Sequence, residues 1–276
     1  MKKKTKELHP ELNFTPPSKA FARQFIEPFK RYFRPEFFGI DDVDVSRPAM
    51  YVSNHAVLGV LDVYPFAIEL YLRKGVILRA LADRNHFKIP FWRDLLMHRI
   101  GVVEASRENC AAIMERGENL VVFPGGTREV CKKKGHAYEL NWSDRSGFVR
   151  MAMQYGYDII PVAAVGAEEA YTIVKDADEI LHETFIGKFL KFSGLAHSLF
   201  KDGELLPPQV QGVAGTLLPH REKLYFSFGP RIVTGGFQEL FDDKQAQDLI
   251  KAKVQLSLLT QFKLLFEQKD RDALDS

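Results

Sequence analysis

One short stretch, residues 49–55, passes from a strand pattern to a chemically active side chain and reads AMYVSNH. Its first four residues are apolar, which is typical of a strand buried on both faces of a sheet. His55 follows the strand directly, and Gly59 and Asp62 come before the next helical pattern. A histidine displayed at the end of a strand is well placed to act as a general base. The stretch therefore predicts a strand-loop-helix unit that carries a catalytic group at the end of its strand.

The same alternation of short apolar runs and helical patterns continues on both sides of this unit. The predicted strands are Ala49–Ser53, Val76–Leu81, Ile100–Glu104, Leu120–Phe123, Ile159–Val165 and Lys223–Phe228. The predicted helices are Asp62–Leu72, Pro90–His98, Arg107–Arg116, Asp144–Tyr155 and a long C-terminal helix with apolar positions Leu249, Val254, Leu258, Phe262 and Leu265. Strands that alternate with helices predict one α/β domain with a mostly parallel central sheet flanked by helices. Pro161, inside its strand, predicts a strand edge or a bulge.

The first forty residues differ in composition from the rest of the chain. They contain nine Lys and Arg residues against four acidic ones, and seven of the 22 Phe residues. Phe21, Phe25, Phe29 and Phe33 recur every four residues, which predicts an amphipathic helix with one aromatic stripe. Pro28 within this pattern predicts a kink or a restart of the helix. We therefore treat residues 1–40 as a basic, Phe-rich amphipathic segment and residues 41–276 as the main domain.

A second Phe-rich stretch, residues 181–201, repeats this pattern. It contains four of the Phe residues, and Lys188 and Lys191 lie among them. Basic amphipathic helices rich in Phe are typical of elements that lie at a membrane interface. The alternative is that both stripes only cover the protein core, which is the commonest use of an amphipathic helix.

Composition and charge exclude several classes of protein. With 46% hydrophobic and 27% charged residues, the chain is neither disordered nor collagen-like. Its 38 basic and 36 acidic residues give a net charge of +2, which argues against a nucleic-acid binder that works through overall charge. Two cysteines cannot form a disulfide scaffold, and the sequence shows neither a secretory signal nor an apolar run of membrane-spanning length. We expect a cytoplasmic protein that is soluble or peripherally attached to a membrane.

The spacing between His55 and Asp62 restricts how these two residues can meet. Seven residues along one helix rise about 10.5 Å, which is too far for a hydrogen bond between their side chains. We therefore expect His55 to lie on a loop, Gly59 to allow a tight turn and Asp62 to lie in the first helical turn. The alternative is a histidine that is only packed or solvated.

A second candidate site follows another predicted strand, where residues 121–129 read VVFPGGTRE. Glycines after a buried strand expose backbone N–H groups, and Thr127 and Arg128 come next, so the composition indicates an anion-binding or oxyanion-binding turn. An ordinary glycine turn is the alternative. Arg107 is a further basic residue, placed where a helix is predicted to begin after the strand that ends at Glu104.

Four blocks in this order resemble the lysophospholipid acyltransferase superfamily of glycerolipid acyltransferases. The matching residues are Asn54, His55 and Asp62; Gly101 and Arg107; Phe123, Pro124, Gly126, Thr127 and Arg128; and Ile160, Pro161 and Val162. Two departures stand out. Six residues separate His55 from Asp62 where the family pattern has four, and Gly125 replaces a Glu of the third block. With Glu129, the third block is more similar to the monoacylglycerol and diacylglycerol acyltransferase branch.

The resemblance implies the glycerolipid acyltransferase fold, with residues 41–276 as the acyltransferase domain. It implies direct acyl transfer from acyl-coenzyme A or an acyl carrier protein to a hydroxyl of a glycerolipid or related lipid alcohol, with no acyl-enzyme, cofactor or metal. His55 is then the general base and Asp62 its acid partner. Substrate binding falls to Asn54, Arg107, Gly125, Gly126, Thr127, Arg128 and Glu129. The implied partners are the acyl donor, a lipid acceptor and a membrane surface, and no nucleic acid.

Other classes of protein remain open at this point. A catalytically inactive, peripheral lipid-binding protein and a lipid hydrolase that uses no serine are the two alternatives. A serine hydrolase is disfavoured because the sequence contains no G-x-S-x-G elbow. Metal and dinucleotide enzymes are disfavoured because H-E-x-x-H, C-x-x-C and G-x-G-x-x-G are absent from the sequence.

Overall fold

A computed structural model describes residues 12–88, 90–201 and 204–275. The strands are β1 (Glu36–Phe38), β2 (Ala49–Ser53), β3 (Leu78–Ala82), β4 (Val103–Glu104), β5 (Asn119–Val122), β6 (Asp158–Val165), β7 (Thr172–Lys175), β8 (Gln209–Gln211) and β9 (Tyr225–Phe228). Seven of them form one sheet in the order β1-β9-β6-β2-β5-β3-β4, and β7 pairs with β8 separately. Neighbouring strands of the large sheet are parallel except at β6–β9. The predicted mostly parallel α/β fold is confirmed.

The helices lie between the strands as the sequence predicts. They are α1 (Lys19–Phe33), α2 (Val63–Lys74), α3 (Pro90–Asp94), α4 (Arg107–Glu115), α5 (Thr127–Val130), α6 (Gly147–Tyr155), α7 (Ala177–Glu183), α8 (Phe185–Phe192), α9 (Leu195–Phe200) and α10 (Lys244–Leu274). A π-helical turn, Leu95–Ile100, follows α3 directly. In α10, Leu249 is exposed and Ile250 is buried, so the buried stripe of that helix includes Ile250 and not Leu249 as predicted.

The sheet separates two hydrophobic layers, and β2 contributes to both of them. Met50 and Val52 pack into the layer under α6 and α10, whereas Ala49 and Tyr51 pack into the layer under α1 and α2. Successive strand side chains point to opposite faces, so a strand with helices on both faces is apolar throughout. This burial fixes the end of β2 firmly and therefore fixes the position of the residues that follow it.

Pro161 lies inside β6, a central strand, so the predicted edge position is wrong, whereas the predicted bulge is present: between the pairs Val162–Phe228 and Ile159–Ile232, two residues of β6 lie opposite three residues of the neighbouring segment. The pairing of β6 with β2 runs through this proline without a break in register. On the other side of β6, the pairing with β9 begins only at Val162, and the Pro161 carbonyl accepts a hydrogen bond from the Gly229 N–H at 2.8 Å. Since Pro161 lies at this bulge, its missing N–H costs no regular ladder hydrogen bond on that side.

Helix α1 does not present its four Phe residues on one face. Phe29 and Phe33 are buried in the core, whereas Phe21 and Phe25 are exposed. Each step of four residues turns an α-helix by about 400°, so the stripe drifts by about 40° per step and leaves the buried face. Pro28 lies inside the helix and does not end it, since the buried side chains on either side hold the helix against the core.

Residues 1–11 of the N-terminal segment lie outside the described residues. In the part of the chain that the structure describes, no helix has the length and apolar character needed to cross a membrane.

Candidate active site

The candidate site lies where the neighbouring parallel strands β2 and β5 end. Ligand sites of open α/β sheets occur at the carboxyl ends of such strands. Ser53-Asn54-His55 continues from β2, and Phe123-Pro124-Gly125 continues from β5. The His55 ring stacks on the Phe123 ring with a centroid distance of 4.1 Å and an interplanar angle of 23°. The fold therefore brings together the histidine block and the glycine-turn block of the sequence.

Asp62 contacts the His55 ring across the connecting loop. Its Oδ2 atom lies 2.5 Å from Nδ1 of His55 and also accepts a hydrogen bond from the Ala56 N–H at 2.7 Å. Its Oδ1 atom accepts a hydrogen bond from the Val63 N–H, so Asp62 also caps helix α2. Burial acts to raise the pKa of Asp62, but the neighbouring His55 and these N–H donors outweigh it and lower that pKa. Asp62 is therefore an ionised carboxylate that holds the imidazole ring.

The six residues between His55 and Asp62 form a compact loop that contains a short 3₁₀ turn, Val57–Gly59. Leu58 and Gly59 both have a φ of 63°, so the chain takes two successive left-handed steps. A Cβ atom at Gly59 would lie 2.6 Å from Cε1 and 2.8 Å from Nε2 of His55. The Gly59 backbone therefore lies against the edge of the imidazole ring that is opposite Asp62. The His55 side chain is 16% exposed.

A buried carboxylate, Glu129, holds the backbone of the histidine loop. Its Oε2 atom accepts a hydrogen bond from the His55 N–H at 2.9 Å, and its Oε1 atom accepts one from the Asn141 N–H at 3.0 Å. Burial raises the pKa of Glu129, although Lys132 and these N–H donors oppose the shift. The sequence predicted a substrate-binding residue here. That role stays a prediction; in the structure the side chain is fully buried and both of its oxygens accept hydrogen bonds from the protein backbone.

A buried ion pair between Lys132 and Glu168 also holds the loop that carries His55. Lys132 Nζ donates a hydrogen bond to the His55 carbonyl at 2.7 Å and contacts Glu168 Oε1. Glu168 Oε2 accepts a hydrogen bond from the Val57 N–H at 3.1 Å. Neither residue is predicted from the sequence, because nothing in the local pattern distinguishes a buried, paired Lys or Glu from a solvated one. Together with Glu129, this pair fixes the loop on which the imidazole lies.

Asn54 joins the end of β2 to the central strand β6. Its Oδ1 atom accepts a hydrogen bond from the Ala164 N–H at 2.9 Å, and its Nδ2 atom donates one to the Ala164 carbonyl at 3.0 Å. The side chain is buried. Its role in substrate binding stays a prediction, and in the structure the oxygen and the nitrogen of its amide both hold two strands together.

The glycine turn after β5 is shaped by the side chain of Glu129. A Cβ atom at Gly125 would lie 2.2 Å from Cδ of Glu129, so the carboxyl group occupies the space beside this glycine. Gly126 has a φ of 52°, and its N–H donates a hydrogen bond to the Phe123 carbonyl at 2.9 Å. This N–H closes the turn, and the binding of an anion at Gly126 stays a prediction. Thr127 is the first residue of the short helix α5.

Two arginines lie beside this turn. Arg128 donates hydrogen bonds from Nε and Nη2 to Oε2 of Glu204, at 3.1 and 2.9 Å, and one from Nη1 to Oγ of Ser143 at 3.3 Å. Arg145 donates from Nη1 to the Gly125 carbonyl at 2.7 Å. Burial lowers the pKa of Arg145, and the nearby positive charge of Arg128 lowers it further. Arg128 is predicted from the sequence, whereas Arg145 is not, because its local sequence gives no signal.

Arg107 lies apart from these residues. It is exposed on the first turn of α4, which follows β4 at the end of the sheet, and Ser106 caps that helix. Within the described residues, Arg107 forms no hydrogen bond or ion pair with His55 or with the glycine turn. The structure therefore does not bring this predicted site residue together with the others.

The described residues contain no group of three or more His, Cys, Asp or Glu side chains arranged to hold a metal ion. Cys110 and Cys131 are both unpaired and buried. Burial raises the pKa of the Cys110 thiol to about 12 and that of the Cys131 thiol to about 11. Neither cysteine is therefore a thiolate at neutral pH.

Comparison with known proteins gives the following relationships. The family described as diacylglycerol acyltransferase matches residues 20–252. Phytyl ester synthase 2 of Arabidopsis thaliana is 28% identical over 222 residues, which are 75% of this chain and 31% of that protein. Diacylglycerol O-acyltransferase 2B of Umbelopsis ramanniana is 25% identical over 143 residues, or 48% of this chain and 40% of that protein. These matches confirm the acyltransferase resemblance of the four sequence blocks.

Among solved structures, the 1-acyl-sn-glycerophosphate acyltransferase of Thermotoga maritima aligns with a TM-score of 0.47 and 15% identity, over 86% of this chain and 78% of that one. The chain spans about a third of the length of the phytyl ester synthases that it matches.

Proposed function

Because this chain belongs to the diacylglycerol acyltransferase family, we propose that it transfers a fatty acyl group from an acyl thioester to the hydroxyl of a lipid alcohol. One observation carries this proposal, namely the contact between His55 Nδ1 and the buried carboxylate of Asp62 at 2.5 Å. An ionised carboxylate only accepts hydrogen bonds, so Nδ1 carries the hydrogen and Nε2 is left as the basic nitrogen. The ring also lies at the end of a strand, where a substrate can reach it.

In the proposed reaction, Nε2 of His55 removes the proton of the acceptor hydroxyl while that oxygen attacks the thioester carbonyl. The new C–O bond forms and the C–S bond breaks. The thiolate leaves and takes the proton from the imidazolium. Asp62 orients the ring and stabilises its charged form between these two proton transfers. The reaction needs no covalent acyl-enzyme, cofactor or metal.

We infer the classes of acyl donor and acyl acceptor from the chemistry of the glycine turn. Arg128 and Arg145 place two guanidinium groups beside it, and such groups bind phosphate, as found in acyl-coenzyme A. A neutral acceptor such as a mono- or diacylglycerol or a long-chain alcohol fits the family and the names of its relatives. The turn also has Gly125 where the phosphate-acceptor branch has a Glu, which favours the same acceptor class.

The proposed place of reaction is a membrane surface on the cytoplasmic side. A lipid acceptor resides in a bilayer, and a peripheral enzyme meets it there. Two unpaired, buried cysteines are typical of a reducing compartment.

A thiol-release assay tests the proposed function directly. Palmitoyl-coenzyme A is supplied with a monoacylglycerol, a diacylglycerol, a long-chain alcohol, glycerol 3-phosphate or a lysophospholipid, and the ester products are identified by mass spectrometry. We expect thiol release that depends on a neutral acceptor and yields the matching ester. Thiol release without any acceptor would indicate a hydrolase instead. Vesicle binding without thiol release under any of these conditions would indicate a catalytically inactive lipid-binding protein.

The Arg128→Ala variant is expected to raise the KM for palmitoyl-coenzyme A by about tenfold with every acceptor, since one charge-assisted contact at a partly exposed site contributes about 1.4 kcal/mol. Initial rates measured against donor concentration check this. The matched control is Glu204→Gln, which removes the ion-pair partner of Arg128 and is expected to leave that KM unchanged or lower it. A loss confined to phosphorylated acceptors would instead place Arg128 at the acceptor headgroup.

A further inference from the structure

Helix α8 presents all three of its aromatic side chains to solvent. Phe185 is 86% exposed, Phe192 is 93% exposed and Phe189 is 56% exposed, and Ile186 is exposed beside them. The four side chains belong to one helix of eight residues. Isolated exposed apolar residues are common on proteins, but a contiguous aromatic patch marks an interaction surface.

The way α8 is attached explains why these side chains face outward. Gly187 is the buried residue of the helix, and a Cβ atom there would lie 1.9 Å from the Ile180 carbonyl oxygen and 2.5 Å from Cα of Leu181. The backbone of α8 therefore lies directly against α7 at this glycine. Because this close contact uses the one position without a side chain, the Phe residues lie on the remaining faces of the helix.

The charge of the same helix indicates what covers this patch. The sequence of α8, FIGKFLKF, contains two lysines and no acidic residue. Lys188 and Lys191 are exposed among the Phe residues, and Lys191 Nζ also contacts Nε2 of His182 at 2.9 Å. Aromatic side chains inserted between acyl chains, with lysines at the level of the headgroups, bind a bilayer that contains anionic lipid.

The segment that carries α8 is joined directly to the candidate active site. At the start of α7, Asp178 accepts a hydrogen bond from Lys133 Nζ at 2.6 Å and Glu179 accepts one from Lys134 Nζ at 2.7 Å. These two lysines follow Lys132, which holds the His55 carbonyl. After α9, Glu204 binds Arg128 beside the glycine turn. Both ends of the α7–α9 segment are therefore attached to elements of the site.

The exposed Phe residues of α1 have a different position. Lys19, at the start of α1, donates a hydrogen bond to the Leu72 carbonyl near the end of α2. Asp62, at the other end of α2, belongs to the site. Leu72 is ten residues after Asp62 along this helix, a rise of about 15 Å, so the start of α1 lies towards the edge of the sheet away from the site.

We infer that the exposed face of α8 inserts into an anionic lipid bilayer and sets the active site against the membrane surface from which the acceptor comes. The role in acceptor supply rests on the proposed function, whereas the attachment to lipid does not. The experiment must also exclude that a second copy of this chain, and not a bilayer, covers the exposed face of α8.

The test compares two double variants of the full chain, Phe185→Ser with Phe192→Ser, and Phe21→Ser with Phe25→Ser as the matched control. Binding is measured by co-sedimentation with vesicles of equal parts phosphatidylcholine and phosphatidylglycerol, and with vesicles of phosphatidylcholine alone. We expect the α8 variant to lose at least about tenfold in binding to the anionic vesicles, because each inserted Phe contributes a large apolar area. The α1 variant is expected to bind within about twofold of the unchanged protein.

Equal binding by the α8 variant and the unchanged protein would overturn the inference, and so would an equal loss in both variants. A change in oligomeric state by light scattering, without a change in vesicle binding, would assign the patch to a second copy and would also overturn it. Thermal unfolding confirms that each variant is folded. If the unchanged protein binds vesicles through α8 but transfers no acyl group, the proposed function fails while the attachment to lipid stands.

Discussion

Replacing His55 by Ala is expected to reduce acyl transfer by at least about a thousandfold, within the range by which a well-placed general base accelerates a reaction. In the proposed reaction, the Nε2 atom of His55 accepts the proton of the acceptor hydroxyl. Its Nδ1 atom is already held by Asp62 at 2.5 Å. The loss is expected in kcat, because the proton is removed in the transition state and not during binding. Initial rates of thiol release with palmitoyl-coenzyme A and a neutral acceptor check this.

His98→Ala is the matched control for this variant. His98 is exposed on the π-helical turn after α3, so its loss is expected to leave kcat within about twofold, as for most surface substitutions. Circular dichroism and thermal unfolding establish that both variants are folded. Activity of His55→Ala above about a tenth of the unchanged enzyme would rule out His55 as the base, because even the weakest general-base contribution exceeds that margin.

The elements that the sequence predicts well are those whose signal is local. The burial of β2 on both faces gives an unbroken apolar run, and Asp62 precedes a helix that it caps. The loop position of His55 follows from helix geometry alone, since a continuous helix would separate it from Asp62. By contrast, β1 has three residues and pairs with β9, which is far along the chain. The β7–β8 pair is also short and formed between distant segments. Such strands leave no periodic pattern that can be recognised locally.

The site residues show a different limit of sequence interpretation. Asn54 and Glu129 carry the polar groups expected of a binding site, but both are buried and hold the backbone around His55. Residue type does not distinguish a side chain that holds a loop from one that binds substrate, whereas burial and hydrogen-bond partners do. For the same reason, the sequence does not predict Lys132, Glu168 and Arg145 as residues of the site. Their partners are backbone groups and distant side chains that only the fold brings together.

In the third sequence block, this chain has Gly125 where the family pattern has a Glu, and the structure gives a physical reason for this difference. The Glu129 carboxyl group passes directly over Gly125, where even a Cβ atom would collide with it. Glu129 needs this path to reach the His55 N–H. A glycine at position 125 and a glutamate at position 129 are therefore linked requirements of one arrangement. In this arrangement the Glu129 carboxylate holds the loop that carries His55.

The Gly59→Ala variant is expected to reduce kcat by about a hundredfold, the effect of displacing a reacting group by about 1 Å. A Cβ atom at this position would lie 2.6 Å from Cε1 and 2.8 Å from Nε2 of His55, and Cγ2 of Val130 at 3.1 Å limits movement on its other side. The imidazole ring of His55 must therefore move, because the new Cβ atom meets the ring edge that carries Nε2. The measurement is kcat for thiol release, together with the free energy of unfolding from urea denaturation.

Gly75→Ala separates the displacement of the ring from backbone strain, because Gly75 caps the other end of α2 with a φ of 74° and a Cβ atom there would meet nothing within 4 Å. Both substitutions force alanine into a left-handed conformation, so both are expected to lower the free energy of unfolding by about 1–2 kcal/mol. Only Gly59→Ala also moves His55. Equal kcat values for the two variants would mean that the imidazole position does not limit the reaction. A loss in Gly59→Ala alone would show that the two left-handed residues of the loop, Leu58 and Gly59, serve to place Nε2 beside the substrate.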